Sequence, residues 1–458
     1  MINEKKGHIH FIGIGGSSMS GIAELAFKQG YSVSGSDRTD SDKLTHLQEK
    51  GITVYPFHSA QNISEDVTLV VYTLAVPQDN PELIEAARRN IPIMERGVYL
   101  GKICSHYKYS VAVAGTHGKT STTSMLSSIL LSANINPSIH IGGVFPRIGS
   151  NVLANDSDYF ITEACEYHAN FLNLHPFGEI ILNIEEEHLD YYKDLNHITD
   201  CFSEFVSYCP ADGFLVVCAD DKNAMKVSEK AATNVVTYSI KNPAGDFYAG
   251  NISRRQPGVV GTTYTLYNKN IPITDIVLNV PGLHNVSNSV AAAAAAVQLG
   301  CSAESIKAGL EAFYGTGRRF ENKGEINGAL VIDDYAHHPT EIQATLSAAR
   351  EVAGNNKIYA VFQAHTYSRA IAFIDDFADA LKEADFVVVT DIFPAREKDP
   401  GTISGKSMSE YFISKGINAK HISDFCETAA LLRYIAKKGD VIITLGAGDV
   451  NKIISKLI

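Results

Sequence analysis

The chain of 458 residues is predicted to be an α/β protein of three domains, for three reasons. Its length corresponds to about three domains at roughly 150 residues each. Strand-like runs alternate with helical patterns in its first and last thirds, which is typical of parallel sheets covered by helices. A strand, a glycine loop and a helix also follow one another twice, in HFIGIGGSSMS and in VAVAGTHGKTS. We expect Rossmann-like first and last domains and a central P-loop domain.

The first domain is predicted over residues 1–107. Strand-like runs fall at 8–14, 31–36 and 68–74. Helical patterns fall between them at 19–29, 42–50 and 81–90. Because strands and helices alternate, we expect a parallel sheet here.

The second domain is predicted over residues 108–321. It begins with a buried strand at 110–114 and contains an alanine-rich helix at 286–299. Between them, residues 245–280 are rich in Thr, Tyr, Val and Asn, with Gly and Pro as punctuation. That composition predicts antiparallel strands joined by turns. The central domain should therefore combine a parallel sheet with a smaller antiparallel part.

The third domain is predicted over residues 322–458. Four strand-like runs at 329–333, 357–362, 386–390 and 441–445 are followed by the polar clusters DYAHHP, QAHTYSR, DIFPAREK and GAGD. In open parallel sheets, ligands bind beyond the carboxyl ends of the strands. The four clusters therefore predict one binding edge.

The composition excludes several classes of protein. Hydrophobic residues make up 45% and charged residues 20%, with a net charge of −12 and no basic tract, so we expect no nucleic-acid partner. No C-x-x-C pair occurs among the seven cysteines, which favours reduced thiols in the cytoplasm. We also expect neither a signal peptide nor membrane insertion. The expected oligomeric state is a monomer or a weak homodimer.

The segment AGTHGKTST predicts a phosphate-binding loop. Gly115 and Gly118 allow backbone N–H groups to approach phosphates closely, Lys119 can reach the β- and γ-phosphates, and Thr120 can hold Mg²⁺. The usual pattern has a further glycine where this chain has Val113, so the loop is a shorter variant. Phosphate binding alone does not distinguish a ligase from a kinase or a nucleotide-gated switch.

The amino-terminal glycine turn allows more than one interpretation. Gly13 and Gly15 match the first two glycines of a dinucleotide fingerprint, whereas Ser18 replaces the third. Asp37 ends the next strand, where a ribose-binding acid is expected. The turn is compatible with a nicotinamide-dependent dehydrogenase, with a nucleotide-diphosphate sugar, or with tight packing alone, because each of the two ligands places a pyrophosphate at a helix N-terminus.

Seven segments together resemble one family. FIGIGGSSMSG, AGTHGKTST, TEACEYHANF, NIEEEHLD, PGLHNVSN, GRRFE and DDYAHHPTE are similar in order and spacing to the Mur ligases of peptidoglycan synthesis, over essentially the whole chain. The resemblance implies an ATP-dependent ligase that joins the lactyl carboxylate of UDP-N-acetylmuramate to L-alanine through an acyl phosphate. The segments EYHANFLNLHP and QAHTYSR favour this substrate over the tripeptide that a close relative transfers.

The same resemblance implies roles for individual residues. The UDP-sugar site would comprise Gly15, Gly16, Ser17, Ser18, Met19, Ser20, Ser36 and Asp37. The ATP site would comprise Gly115, Thr116, His117, Gly118, Lys119, Thr120, Ser121, His284, Asn285, Asn288, Arg318 and Asp333. Mg²⁺ would be held by Thr120, Glu163 and His188. The amino acid would contact Tyr335, His337, His338 and Arg369. The residues expected to act in catalysis are Lys119, Glu163, His188 and Arg318.

The chain departs from the family pattern at several positions. Ala364 replaces a proline, Thr366 stands where some relatives have a second arginine, and Cys165 replaces an acid. No lysine lies between Lys193 and Lys222, so we make no prediction about the lysine carbamate that several family members carry. The alternatives are the tripeptide-recycling ligase, a nicotinamide-dependent dehydrogenase and a non-enzymatic nucleotide switch.

Overall fold

The computed structural model describes residues 6–38, 42–188, 191–255, 260–395 and 397–458. The chain divides into two compact units: one contains residues up to 247 together with 291–309, and the other contains 248–290 together with 310–458. Among the described residues, no helix combines the length and the apolar character needed to cross a membrane. The predicted α/β class, with parallel sheets and a smaller antiparallel part, is confirmed.

The first unit begins with a five-stranded parallel sheet of order β3-β2-β1-β4-β5. Its strands are β1 (Lys6–Ile12), β2 (Tyr31–Ser36), β3 (Thr53–Tyr55), β4 (Val67–Tyr72) and β5 (Ile93–Glu95). Its helices are α1 (Ser17–Lys28), α2 (Asp42–Glu49), α3 (Pro81–Arg88) and α4 (Arg96–Ser105). The predicted elements recur within one to two residues at each end. β3, β5 and α4 were not predicted, and the two strands have three residues each, too few to show an alternating pattern.

The first unit also contains the sheet that carries the P-loop, in the order β12-β11-β10-β6-β9-β7-β8. Its strands are β6 (Tyr109–Ala114), β7 (Ser138–Phe145), β8 (Ser150–Leu153), β9 (Tyr159–Glu163), β10 (Gly178–Ile181), β11 (Phe214–Cys218) and β12 (Asn234–Ser239). Its helices are α5 (Lys119–Ser132), α6 (Leu195–Val206) and α7 (Lys222–Ser228). β6 lies between β10 and β9 in parallel register, so the loop after β6 has a strand end on either side.

The second unit contains the predicted antiparallel part. Its strands are β13 (Phe247–Arg254), β14 (Thr262–Asn268) and β15 (Ile271–Leu278). β14 and β15 form an antiparallel pair that a tight turn at Lys269 and Asn270 closes, both with positive φ. Two helices then follow in the sequence, α8 (Leu283–Gln298) and α9 (Ala303–Glu311), and residues 291–309 of this stretch belong to the first unit. The alanines of α8 are fully buried, because their small side chains allow close packing on several sides.

The second unit also contains a six-stranded sheet of order β16-β17-β21-β18-β19-β20. Its strands are β16 (Glu321–Ile326), β17 (Ala329–Asp334), β18 (Ile358–Phe362), β19 (Phe386–Val389), β20 (Ala419–His421) and β21 (Val441–Leu445). Its helices are α10 (Pro339–Ala353), α11 (Tyr367–Ala372), α12 (Ile374–Leu381), α13 (Gly405–Ser414), α14 (Phe425–Ile435) and α15 (Ile454–Leu457). Only β16 is antiparallel to its neighbour. The four predicted strands therefore end at one edge.

Candidate functional site

The predicted phosphate loop has the geometry that its glycines suggest. It lies between the end of β6 at Ala114 and the start of α5 at Lys119. Gly115 and Gly118 have φ values of +138° and +87°, which favour glycine. A Cβ on Gly115 would lie 3.0 Å from Cβ of Leu182. The loop therefore needs glycine at both positions.

The loop is fixed by Asn183, which follows β10. The His117 N–H donates to Asn183 Oδ1 over 2.7 Å, and Asn183 Nδ2 donates to the His117 carbonyl over 3.1 Å. The Thr116 N–H donates to the Asn183 carbonyl over 3.0 Å. The sequence did not indicate this residue, because its partners lie 66 positions away. Asn183 thus fixes the backbone of the loop at Thr116 and His117.

The helix that follows the loop contains many hydroxyl side chains, yet it is buried from Thr120 to Leu130. Hydroxyl groups of Thr123, Ser124 and Ser127 donate to carbonyls four residues earlier, over 2.7–2.8 Å. These bonds satisfy hydroxyls that would otherwise be costly to bury. α5 can therefore pass through the core while its amino end stays at the phosphate loop.

Two acids follow β9 beside the loop. Glu163 pairs with Val113 in the register of β9 and β6, and its Oε1 accepts the Gly142 N–H over 2.6 Å. Glu166 lies three residues further on and is buried, with 5% of its surface exposed. Its carboxylate oxygens lie 2.9 and 3.0 Å from Lys119 Nζ. The predicted catalytic lysine is therefore part of a buried ion pair.

His188 also contacts the Glu166 carboxylate of this ion pair. His188 Nε2 lies 3.4 Å from Glu166 Oε1, and the His188 ring packs 4.7 Å from the ring of Tyr167. Its φ of +55° is uncommon for a residue other than glycine. Leu189 and Asp190, which complete the predicted motif, lie outside the described residues.

Charge dominates the titration of this cluster. Burial alone would raise the pKa of Glu166, but Lys119 and His188 outweigh it and lower the pKa to about 2. Burial alone would lower the pKa of Lys119, but the Glu166 carboxylate outweighs it and raises the pKa. Both groups are therefore charged near neutral pH.

The residues predicted to hold Mg²⁺ offer donors of two kinds. Glu163 supplies carboxylate oxygens at the end of β9, and Thr120 supplies a hydroxyl in the first turn of α5. Hard oxygen donors of this type suit Mg²⁺. His188 instead has its Nε2 beside Glu166. The donor set therefore fits one magnesium ion at the phosphate loop better than it fits a second ion at His188.

The amino-terminal glycine turn bonds to its own neighbours. Gly15 N–H donates to Asp37 Oδ2 over 2.9 Å, so this carboxylate supports the turn. Ser36 is fully buried, and its hydroxyl donates to Glu82 Oε2 over 2.6 Å. The Met19 and Ser20 side chains are also buried. The groups of the turn that can contact a ligand are therefore mainly those of Gly16, Ser17 and Ser18, together with backbone N–H groups.

Two cations that the sequence did not indicate lie at this turn. Lys43 Nζ donates to Ser17 Oγ over 2.6 Å, and Arg96 Nη1 donates to Ser18 Oγ over 3.2 Å. Ser18 Oγ also lies 3.2 Å from Nε2 of His140. Positive charge beside a helix N-terminus suits a pyrophosphate. The sequence did not identify Lys43 and Arg96, because both lie far from the turn along the chain.

In the second unit, Arg318 and Asp333 contact each other. Arg318 Nε donates to Asp333 Oδ2 over 3.1 Å, and its terminal nitrogens donate to the Gly446 and Gly448 carbonyls over 2.6 and 3.1 Å. The Arg318 guanidinium also lies 5.0 Å from the Tyr335 ring centre. These contacts join the ends of β17 and β21. The predicted phosphate and ribose contacts of these two residues remain predictions.

The residues predicted to bind the amino acid lie along one edge of the six-stranded sheet. Tyr335 and His337 rings are 5.4 Å apart, and the His337 and His365 rings are 5.8 Å apart. Arg369 Nη1 lies 3.2 Å from Nδ1 of His365. His338 is instead the N-cap of α10, where its ring accepts the Thr340 N–H. The structure thus distinguishes the two adjacent histidines: His337 lies in the cluster and His338 caps a helix.

The residues predicted near adenine begin α8. Asn285 and Asn288 are buried, with 6% and 7% of their surfaces exposed, and Asn285 Nδ2 donates to the Pro281 carbonyl over 2.8 Å. Burial lowers the pKa of His284 to about 4, so this ring is neutral near pH 7. The contacts of His284, Asn285 and Asn288 with adenine remain predictions.

A P-loop with a lysine, neighbouring acids and a second glycine turn defines an α/β nucleotide-binding protein. Models of the Mur ligase family, catalytic domain, of the Mur ligase middle domain and of the Mur ligase, glutamate ligase domain match residues 8–108, 113–296 and 318–448. The chain belongs to the Mur ligase family, and its three-domain α/β fold is confirmed.

Two curated relatives match along almost their whole length. The UDP-N-acetylmuramate–L-alanine ligase of Clostridium novyi is 47% identical over 453 residues, which cover 98% of this chain and 96% of that protein. The enzyme of the same name from Acetivibrio thermocellus is 47% identical over 447 residues, which cover 97% and 94%.

Two solved structures are also similar to this chain along its whole length. UDP-N-acetylmuramate-alanine ligase MurC from Thermotoga maritima has a TM-score of 0.83 at 29% identity and covers 99% of this chain and 98% of its own. A murein peptide ligase from Psychrobacter arcticus has a TM-score of 0.72 at 27% identity, with coverage of 99% and 98%. The chain is similar to both kinds of ligase.

Proposed function

We propose that this protein is an ATP-dependent ligase that joins the lactyl carboxylate of UDP-N-acetylmuramate to the amine of L-alanine in peptidoglycan synthesis. The observation that carries the proposal is the phosphate loop beside Glu163, in a chain 47% identical over nearly its whole length to two ligases of this name. A nicotinamide-dependent dehydrogenase would leave the loop and its acids without a role. Cytoplasmic location and a monomer or weak homodimer remain predictions.

The chemistry requires the carboxylate to be activated. A carboxylate oxygen attacks the γ-phosphorus of ATP, the bond to the β,γ-bridging oxygen breaks, and ADP leaves. The amine nitrogen then attacks the acyl carbon of the resulting acyl phosphate. Inorganic phosphate leaves with the bonding electron pair, and the amine loses its proton to give the amide. These steps bring negative oxygens together, so catalysis depends on positioning and charge neutralisation.

The first unit supplies groups for the phosphoryl transfer. We assign the N–H groups of the loop to the phosphates, Lys119 to the γ-phosphoryl group, and Thr120 with Glu163 to Mg²⁺. Bound Mg²⁺ would neutralise phosphate charge. The glycine turn at Ser17 and Ser18, with Lys43 and Arg96 beside it, would hold the pyrophosphate of the sugar nucleotide.

The second unit supplies groups that suit the amino acid. Arg369, with Tyr335, His337 and His365, forms a cluster at the carboxyl edge of the sheet. A guanidinium matches the geometry of a carboxylate. We therefore assign the alanine carboxylate to Arg369 and leave His338 its capping role in α10.

The test is phosphate release with ATP, Mg²⁺, UDP-N-acetylmuramate and a panel of amino acids. We expect release that depends on both the sugar nucleotide and L-alanine. The murein tripeptide should replace alanine poorly. Release with the tripeptide but none with alanine would assign the recycling activity instead, and no amine-dependent release with any acceptor would refute a ligase.

A further inference from the structure

Glu166 has no part in the reaction described above, yet it contacts two groups that the reaction is expected to use. Its carboxylate lies 2.9 and 3.0 Å from Lys119 Nζ and 3.4 Å from His188 Nε2. Only 5% of Glu166 is exposed. A buried carboxylate that contacts both the Lys119 ammonium and the His188 ring fixes the distance between them.

This carboxylate completes the set of contacts at the Lys119 ammonium. Lys119 Nζ also donates to the Gly115 and Thr116 carbonyls, over 2.5 and 3.0 Å. An ammonium group has three protons. Two carbonyls and one carboxylate account for all three in this structure, so a γ-phosphoryl oxygen would replace one of the loop carbonyls while the Glu166 carboxylate keeps the Lys119 side chain in place. Without Glu166, one of its three anchors would be lost.

The backbone around Glu166 is also tightly defined. Its carbonyl accepts the Tyr192 hydroxyl over 2.5 Å and the Ala169 N–H over 2.8 Å. His168 and Ala169 have φ values of +52° and +51°. Two consecutive residues other than glycine in this region are strained, and such strain persists where the surroundings over-determine the backbone. The position of the Glu166 carboxylate is thus built into the fold.

We propose that Glu166 is a positioning residue that sets the place of the Lys119 ammonium and of the His188 ring for phosphoryl transfer. The inference rests on the proposed function for its catalytic consequence. Because Glu166 is itself an anion next to the phosphate loop, its contribution to ATP binding should be small or unfavourable. Its benefit should appear in the reaction step, where a displacement of about 1 Å can cost about a hundredfold in rate.

The test compares Glu166→Gln with the wild type. The variant keeps the shape of the side chain and removes its charge. We expect kcat to fall at least about tenfold, while the dissociation constant of Mg²⁺·ATP, measured without the other substrates, stays equal or decreases. Glu166→Asp restores the charge and should recover part of kcat. A purely structural role would instead weaken ATP binding, lower the melting temperature and reduce kcat together.

Glu179→Gln is the matched control. Glu179 is a fully buried glutamate on β10, and neither of its carboxyl oxygens has a hydrogen-bond partner among the described residues. The Glu179→Gln variant should leave kcat and ATP binding unchanged.

The outcomes separate the two proposals. A kcat of Glu166→Gln within twofold of wild type, or weaker ATP binding in that variant, would overturn the role of Glu166. If the wild type itself shows no amine-dependent turnover, the proposed function fails. The ATP-binding comparison would then still decide whether the Glu166 charge opposes nucleotide binding.

Discussion

Lys119 illustrates how a single residue can be predicted without its surroundings. The motif AGTHGKTST predicted a phosphate-binding lysine, and the structure places that lysine at the start of α5. The motif could not reveal Glu166, because 47 residues separate the two partners. The same limit applies to Lys43 and Arg96 at the glycine turn. Local patterns predict the residue that approaches a ligand, whereas long-range packing determines its counter-ions.

Lys119→Ala should abolish phosphate release while leaving binding of the sugar nucleotide largely intact. The variant removes the cation assigned to the γ-phosphoryl group. It also leaves the buried Glu166 carboxylate without its lysine, which should cost about 3–5 kcal/mol of stability. Phosphate release, calorimetric binding and a melting curve should therefore be measured together. The exposed Lys230→Ala is the control, and unchanged turnover of Lys119→Ala would refute the assignment of the loop.

Arg369→Ala should raise the KM for L-alanine far more than the KM for ATP. Arg369 lies beside His365 at the carboxyl edge of the sheet, where its guanidinium suits a carboxylate. Loss of a charge-assisted pair of this kind costs about 1.5–3 kcal/mol, which corresponds to roughly a tenfold to hundredfold change. Steady-state kinetics with each substrate varied in turn measure both constants. Arg350→Ala, whose guanidinium bonds to Asp385, is the control, and equal effects on both KM values would argue against the role.

Strand β10 contains a buried glutamate, Glu179, that its sequence does not explain. It runs between β6 and β11 in the interior of the sheet, and Gly178, Ile180 and Ile181 suit that place. Glu179 is equally buried. Burial raises its pKa well above the usual range. A glutamate in an apolar strand would have argued for an exposed face, so period and composition alone mispredict this position.

Glu179→Gln should stabilise the protein above about pH 4.5, and the gain should grow with pH. The carboxyl of the folded state keeps its proton, whereas in the unfolded state it ionises near pH 4.5. Above that pH the unfolded state binds fewer protons, so wild-type stability falls as pH rises, by as much as about 1.4 kcal/mol per pH unit. Below about pH 4.5 the variant should gain no stability over the wild type. Denaturant unfolding between pH 4 and pH 8 measures the difference, with the exposed Glu410→Gln as control. A gain independent of pH would contradict this account.

Elements with a strong pattern were predicted best, and the reason is physical. β2 (Tyr31–Ser36) and β21 (Val441–Leu445) match the predicted ranges residue for residue, because turn residues bound both strands and β21 is in addition an apolar run. The edge strand β16 was missed, since only its β17 side is paired and its residues ENKGEI are mostly polar. His338 caps α10, a role that only the backbone of the following turn reveals, and its contact with the amino acid stays a prediction.

The chain contains two sites to which we assign phosphate binding, and their positive charge has different origins. The loop before α5 relies on glycine N–H groups and one lysine, whereas the turn before α1 adds Lys43 and Arg96 through serine hydroxyls. The net charge of −12 is therefore no obstacle to anionic substrates, because the cations are concentrated where phosphates are expected. The resemblance of spaced motifs was needed to assign the second device to a sugar nucleotide, since the physics of the turn permitted NAD equally well.

UDP-N-acetylmuramate alone should slow amide hydrogen exchange at residues 13–20 of the glycine turn and at α1. The pyrophosphate is assigned to N–H groups of that turn, and a ligand at 100 times its Kd stabilises the state that binds it by about 2.7 kcal/mol. We expect no comparable change at residues 335–337, where the amino acid and not the sugar nucleotide is assigned. Exchange followed by mass spectrometry, with and without the ligand, measures this. NADH should give no protection at residues 13–20. Protection by NADH but not by the sugar nucleotide would reverse the assignment of the turn.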